Sequence, residues 1–382
     1  MHEECEFSKT VNDAYLKLIE KISVFPADLP RPGGTISKKI FEFLEILMTP
    51  EEATLLAELS VYPFGSNTIE EIAEFWNKDA QETREILGQF NERGIVMNVT
   101  LDTGEKEYSI HYPILFFEFP FIDDIPGDKG KRLAELFRGM YEDEGWHRTF
   151  VGTSLTPLNR IIPVQEAIKK GTEVLPEEEI FKIIDAQEWI CLLPCACRNR
   201  YEKIGIRKCT FPIETCFLMG PVGKWFIERG KGKRLTQEEA KKFIRYTTEL
   251  GLIHLSENIK DAEGHLIICN CCSCCCCMLA GVAKLGNQNS IARAHFMAVM
   301  DSEIECNACG VCVERCQMHA IVMQDDVAEI LSDKCIGCGV CAVKCPVERI
   351  TLKRIEGREI PEHEGELWVK MFEECGKPYP EL

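Results

Sequence analysis

The chain has 382 residues, 45% hydrophobic and 28% charged, the balance of a folded protein with two or three domains. Its 44 Lys+Arg against 62 Asp+Glu leave a formal charge of −18, which argues against a nucleic-acid binder held by phosphate contacts. Its 22 cysteines are too many for packing alone, and all but Cys5 and Cys375 fall between Cys191 and Cys345. The start, MHEECEFSKT, lacks the pattern of a secretory signal, and no stretch reaches the roughly 18 uninterrupted apolar residues of a membrane helix. A cytoplasmic chain without a membrane span is therefore expected, and metal ligation outweighs a disulfide framework. Thiolates at this density oxidise readily unless ligated, which points to an anaerobic setting.

In chain order, Ser37 precedes KKIFEFLEILM, whose Ile40, Phe43, Leu44 and Leu47 have helical spacing. Thr49-Pro50-Glu51-Glu52 supplies an N-cap, a first-turn proline and a capping-box glutamate. Thr68 with Glu71 repeats the box, and Asp79 with Glu82 starts a further helix that ends at Gly94. The runs IVMNVTL and KEYSIHY, joined by Asp102-Thr103-Gly104-Glu105, predict a hairpin. Short helices followed by a hairpin resemble a winged helix-turn-helix domain. Such a domain implies DNA binding through the helix after Asp79, but residues 1–125 hold 10 Lys+Arg against 24 Asp+Glu. That helix sets Arg84 and Arg93 against Asp79, Glu82, Glu85 and Glu92, a face that a duplex repels. A protein-docking role is the better expectation.

PILFFEFPFIDDI (113–125) reads as a proline-broken apolar linker, and residues 128–190 as helical, with no chemistry. His147 beside Trp146 reads as a packed or surface residue.

Twelve cysteines lie between Cys191 and Cys277. Cys195 and Cys197 sit in LLPCACRNR, with Cys191 before them and Cys209 and Cys216 after; seven more crowd into ICNCCSCCCCM. A helix between the groups starts at the Thr236–Glu239 capping box and ends at Gly251, and a hairpin, LIHLSENI with HLIICN, delivers the second group. Some of these thiols serve as small buried hydrophobes. Separated groups must converge to close a site, so the expected ligands of a third cluster are Cys195, Cys197, Cys216 and Cys269, with Cys271 or Cys272; Cys274 to Cys277 are too redundant to rank. Residues 195–245 carry 13 Lys+Arg against 5 Asp+Glu, and positive charge from Arg198, Arg200, Arg207 and Lys208 favours thiolates. CFLMGPVGKW lacks the first glycine and the Ser/Thr of a Walker loop, Gly-Lys-Gly at 230–232 has no Rossmann context, and no C-x-x-C-H occurs. The Cys-Cys pairs resemble the CCG elements of heterodisulfide reductases, although Cys-Cys-Ser replaces CCG and no second C-x-x-C element matches.

Cys306, Cys309, Cys312 and Cys316 follow C-x2-C-x2-C-x3-C, and Cys335, Cys338, Cys341 and Cys345 repeat it 29 residues later, followed by Pro346. Gly310, Gly337 and Gly339 relax the backbone between the thiolates. The pair resembles a bacterial-type ferredoxin with two [4Fe–4S] clusters over roughly residues 300–355. That resemblance implies Cys306, Cys309, Cys312 and Cys345 on one cluster, and Cys335, Cys338, Cys341 and Cys316 on the other. Short strands at Ile321–Val322 and Ile350–Leu352 are expected to pin the halves together. Gln317 stands where the family usually has proline, predicting an altered hydrogen-bond pattern near Cys316 without loss of a cluster.

The whole resembles the multi-cluster dicluster-ferredoxin proteins of anaerobes. The expected class is α+β: a winged-helix-like domain with an N-terminal helical extension (1–125), a mixed helical cysteine-rich metal-binding domain (126–299), the dicluster ferredoxin domain (300–355) and a tail (356–382). Low-potential electron transfer to a partner oxidoreductase through two [4Fe–4S] clusters, with one or more additional iron–sulfur clusters, is the leading expectation. The alternatives are a redox enzyme or subunit acting on a disulfide or other sulfur compound, and a redox-sensing regulator. No nucleic-acid partner is expected; a homo- or hetero-oligomer is compatible with the chain.

Overall fold

The structure, a computed structural model, describes residues 13–23, 28–101, 103–151, 153–170, 172–357 and 359–380. Helix and strand are mixed throughout, an α+β architecture. Two compact units form: Met1–Thr153 with Ala196–Ile206 and Cys375–Leu382, and Ser154–Cys195 with Arg207–Glu374. Among the described residues, no helix is long and apolar enough to cross a membrane.

In the first unit the helices start where side chains supply acceptors for orphan amides. Ser37 caps Lys38–Leu47; Thr49 and Thr68 form reciprocal boxes with Glu52 and Glu71 at the starts of Pro50–Leu56 and Ile69–Trp76; Asp79 caps Ala80–Glu92. Strand β1 (Val61–Tyr62) runs parallel to β3 (Lys106–His111), which pairs antiparallel with β2 (Val96–Thr100). Asp102 of the expected turn lies outside the described residues, but Leu101 N–H donates to Glu105 O at 2.8 Å, and Gly104, at φ 85°, completes the bend.

The stretch expected to be a linker is instead the helix Pro113–Ile122, buried almost all round. Pro113 opens it harmlessly, whereas Pro120 costs about 3 kcal/mol by removing a donor. Phe116, Phe117, Phe119 and Phe121 are wholly buried, each contributing about 1.5–3 kcal/mol, so packing wins. Phe117 meets Trp146 edge-on at 5.1 Å, and Phe121 meets Phe137 at 6.2 Å. His147 is buried here, its Nδ1 2.9 Å from Tyr141 O.

The second unit is built on a sheet, a departure from the helical middle region expected from sequence. Strands β4 (Asn159–Ile161), β5 (Ile190–Pro194), β6 (Glu214–Met219), β7 (Lys233–Leu235), β8 (Ile253–Glu257) and β9 (Ile267–Cys271) form one antiparallel sheet in the order β4-β8-β9-β6-β5-β7. The strands are short, and cysteines fill several alternate positions, which blurs the polar–apolar alternation that marks a strand. On one face Ile190, Phe217, Met219 and Ile268 pack with Ile183 and Ile244 from the helices Ile180–Asp185 and Gln237–Leu250. The other face joins Ile253, Leu255 and Cys271 in one core with Phe296, Ala298 and Leu352 of the C-terminal segment.

In that segment β10 (Phe296–Met300) pairs antiparallel with β13 (Ile350–Arg354), and β11 (Ile321–Gln324) with β12 (Val327–Ile330). The strands expected at 321 and 350 thus do not pair with each other; the first and last strands close the segment. Arg315 donates to Val340 O of its own segment at 3.1 Å and fastens that segment to the sheet-packing helix by donating to Glu249 O and Thr248 O at 3.1 and 2.9 Å. Both helix carbonyls lie in its last turn, where a guanidinium also meets the negative dipole end.

Candidate metal centres

Two recesses lie in the C-terminal segment. One is lined by Cys306, Cys309, Cys312 and Cys345, with Met300 and Ile350 among its apolar walls. The other is lined by Cys316, Cys335, Cys338 and Cys341, with Ile253 of β8 and Ile336 among its walls. Each therefore takes three cysteines of one run and the fourth of the other. Four thiols around an apolar hollow are the donor set that a four-iron cluster requires.

The chain wraps these hollows through left-handed backbone. Gly337 (φ 75°) packs so tightly that a Cβ there would stand 2.0 Å from Phe296 O. The equivalent residue of the first run, Ala308, has φ 54° despite its Cβ, and His319 and Glu348 repeat the correspondence at 51° and 52°. The two runs share backbone geometry as well as spacing.

The thiols differ in their surroundings. Burial pushes Cys338 up to about 12 and Cys341 well above the ordinary thiol value, so both are neutral without metal and must release protons to bind it. Burial raises Cys316 too, opposed by backbone amides, one of them Ala320 N–H at 3.2 Å from its Sγ. Backbone amides of Ala328 and Ala308 lower Cys306. Cys309 is exposed. Gln317, in the wall of the second recess, accepts from Ser273 N–H at 2.9 Å and donates to Gly251 O and, at 3.5 Å, Cys271 O. A proline at that place makes none of these bonds.

The sheet explains how distant middle cysteines meet. Phe217 of β6 pairs with Ile268 of β9, so Cys216 and Cys269 share the opposite face, and Cys271 follows two residues on. Cys269 interacts with both Cys216 and Cys271, Cys271 with Cys276, and Cys195 lies within electrostatic range of Cys269. Cys195 is placed by the end of β5, its amide donating to Ile213 O at 2.8 Å. On the other face His254 of β8 anchors this pair of strands. Its Nδ1 is 2.6 Å from Asn270 Oδ1 and its Nε2 2.7 Å from Thr248 Oγ1, while Asn270 Nδ2 donates to Thr215 O at 2.7 Å.

Cys216, Cys269 and Cys271 thus form one chain of neighbours that runs on to Cys276, which sequence did not rank, with Cys195 within electrostatic range of Cys269. Cys272 points elsewhere, toward Cys209, Cys274 and Cys275. Cys197 lies in the first unit, its Sγ 3.7 Å from Glu118 Oε1, and burial raises that carboxyl to about 8. Arg200 belongs to the first unit as well, its guanidinium 3.6 Å from the centre of the Phe137 ring and 3.9 Å from Glu118. Cys191 donates to Lys231 O at 3.5 Å, and burial pushes its thiol up to about 12. No local sequence signal marks Cys276, because the turn over Ser273–Cys275 decides which way it points.

Comparison with protein families gives one match, a 4Fe-4S binding domain at residues 328–348, which covers Cys335, Cys338, Cys341 and Cys345. The segment therefore carries at least one [4Fe–4S] site, and with it iron–sulfur electron transfer. No curated protein and no solved structure matches the chain.

Proposed function

We propose that this protein is a low-potential electron relay serving a partner oxidoreductase. Cys306, Cys309, Cys312 and Cys345 hold one [4Fe–4S] cluster, Cys335, Cys338, Cys341 and Cys316 the second, and Cys195, Cys216, Cys269 and Cys271 a third iron–sulfur cluster with Cys276 beside it. Each cluster supplies one-electron transfer at a potential set by burial and by N–H bonds to sulfur. The chain's own part is to space the sites and keep water from them. Exposed Cys309 opens the first site to a docking partner. Ile253 and Gln317 join the wall of the second recess to Cys271, Ile253 as its cross-strand partner and Gln317 through its carbonyl.

The observation that carries this reading is the exchange of the fourth cysteine between the two recesses. The first unit, with two helices on either side of β1 and a hairpin that pairs β1 beside β3, supports a winged-helix-like docking module. Arg93, the C-cap of the helix Ala80–Glu92, is engaged with Glu52 and Leu47 O, which removes a cation from the face that would meet DNA.

Iron and acid-labile sulfide analysis of anaerobically purified protein tests the proposal. About eight iron with matching sulfide are expected from the C-terminal segment, and roughly twelve with the third site filled. Four or fewer would overturn it.

A further inference from the structure

We propose that Cys209, Cys272, Cys274 and Cys275 hold a single divalent metal ion, zinc or iron, in a tetrathiolate site separate from every iron–sulfur cluster. Their four Sγ atoms all lie within 4.8 Å of one another. Cys209 is 3.8 Å from Cys272 and 3.9 Å from Cys275, and Cys274 is 3.4 Å from Cys272 and 3.5 Å from Cys275. A tetrahedral ion with metal–sulfur bonds of about 2.3 Å holds its ligands about 3.8 Å apart. A four-iron cube puts one iron behind each thiolate and spreads the sulfurs to roughly 6 Å. A two-iron cluster brings sulfurs together only in pairs. The spacing fits one ion.

The loops that carry these sulfurs are fixed by bonds that do not involve them. Cys276 N–H donates to Cys272 O at 3.1 Å, Ser273 N–H to Gln317, and Lys284 Nζ to Cys274 O at 3.1 Å. On the other side Arg207 donates to Phe211 O at 2.7 Å, across the turn that carries Cys209. Four thiolates on a divalent ion leave a net charge of −2, and Arg207 and Lys208 precede Cys209 while Lys284 reaches the Cys274 carbonyl. Cys272 and Cys275 are buried, and four protein ligands leave no open position, so the ion is structural. It ties the 209 loop to the end of β9, more than sixty residues away in sequence.

The full chain, purified without oxygen and reconstituted with ferrous iron and sulfide, is analysed for zinc, iron and acid-labile sulfide. One equivalent of zinc, or of iron unmatched by sulfide, is expected per chain, with a four-sulfur shell at about 2.3 Å in X-ray absorption. Cys209→Ser and Cys275→Ala each remove that equivalent and leave sulfide unchanged, whereas Cys191→Ala keeps it. If the variants fail to fold, cobalt(II) loaded into the wild type must still give the visible bands of a tetrahedral cobalt thiolate. Absence of the extra equivalent, or loss of sulfide together with iron in Cys209→Ser, overturns the proposal. Failure of the relay reading is a different result: sulfide missing altogether while the single ion stays.

Discussion

Around the two C-terminal recesses the cysteine sulfurs stand back from a hollow, while at Cys209, Cys272, Cys274 and Cys275 they lie against one another. Both regions are cysteine-dense loops of one compact unit, so composition does not separate them. Backbone does. The recess loops turn outward through left-handed residues such as Gly337 and Gly339, which keeps successive thiols at the rim of a cavity. The Cys272–Cys275 loop closes on itself, with Cys276 N–H bonded back to Cys272 O, and gathers its sulfurs inward. On the proposed reading, the spacing of its sulfurs sets how many metal atoms a cysteine set holds.

The hardest test of this contrast exchanges members between the recesses. Cys316→Ala removes a ligand from the recess of Cys335, Cys338 and Cys341, so about four iron should go, with the paramagnetic signal of that cluster. Cys345→Ala should remove the other signal. If each variant instead lost the cluster of its own run, the exchange would be wrong. Gly337→Ala comes next, since its Cβ would strike Phe296 O; a loss of about 3 kcal/mol or more in denaturant unfolding is expected. Gly310→Ala, at φ 71° with open space around it, should cost only about 1 kcal/mol from strain. Equal effects would mean that the hollow does not depend on close packing at Gly337.

Legibility in sequence follows the same divide. The capping boxes at Thr49, Thr68 and Thr236 and the helix stop at Gly251 are local, and the structure has each of them. The ferredoxin spacing is local too, because a short loop brings its own thiols to one rim. The partition of Cys269 to Cys277 is not. It depends on Cys216 lying across from Cys269 in the β6–β9 register, and on Cys209 arriving from another loop. Pro120 misled for a related reason: its cost is visible in sequence, while the aromatic burial that outweighs it becomes visible only once the chain folds.

Acid should separate the regions by a smaller margin. Burial holds His254 neutral with a pKa of about 4, against about 6.5 in the unfolded chain. Below pH 6.5 the unfolded state binds the proton first, so stability present above that value is lost as pH falls toward 4. The full loss is about 3 kcal/mol, with about 2 of it reached by pH 5. Because His254 backs the strand of Cys269 and Cys271, hydrogen exchange should show β8 and β9 loosening before the β10–β13 ladder. His254→Gln should flatten this dependence. An unchanged pH profile in that variant would place the acid-sensitive group elsewhere.

The most local effect concerns the residue that joins the two kinds of site. Gln317 stands in the wall of the second recess and bonds Ser273 N–H and Gly251 O, one bond reaching into the loop that gathers Cys272, Cys274 and Cys275. Truncation to alanine leaves a part-buried amide and a carbonyl without their partner, a loss of about 1–3 kcal/mol. The ligands of the recess itself are untouched, so Gln317→Ala should keep its sulfide and cluster signal while the 272–275 loop exchanges its amide protons faster. Gln317→Pro should behave alike, since the proline usual in ferredoxins suits a recess that stands alone. If either variant lost the recess cluster and left the loop unchanged, Gln317 would serve the hollow and not the join, and the contact between the two regions would be incidental.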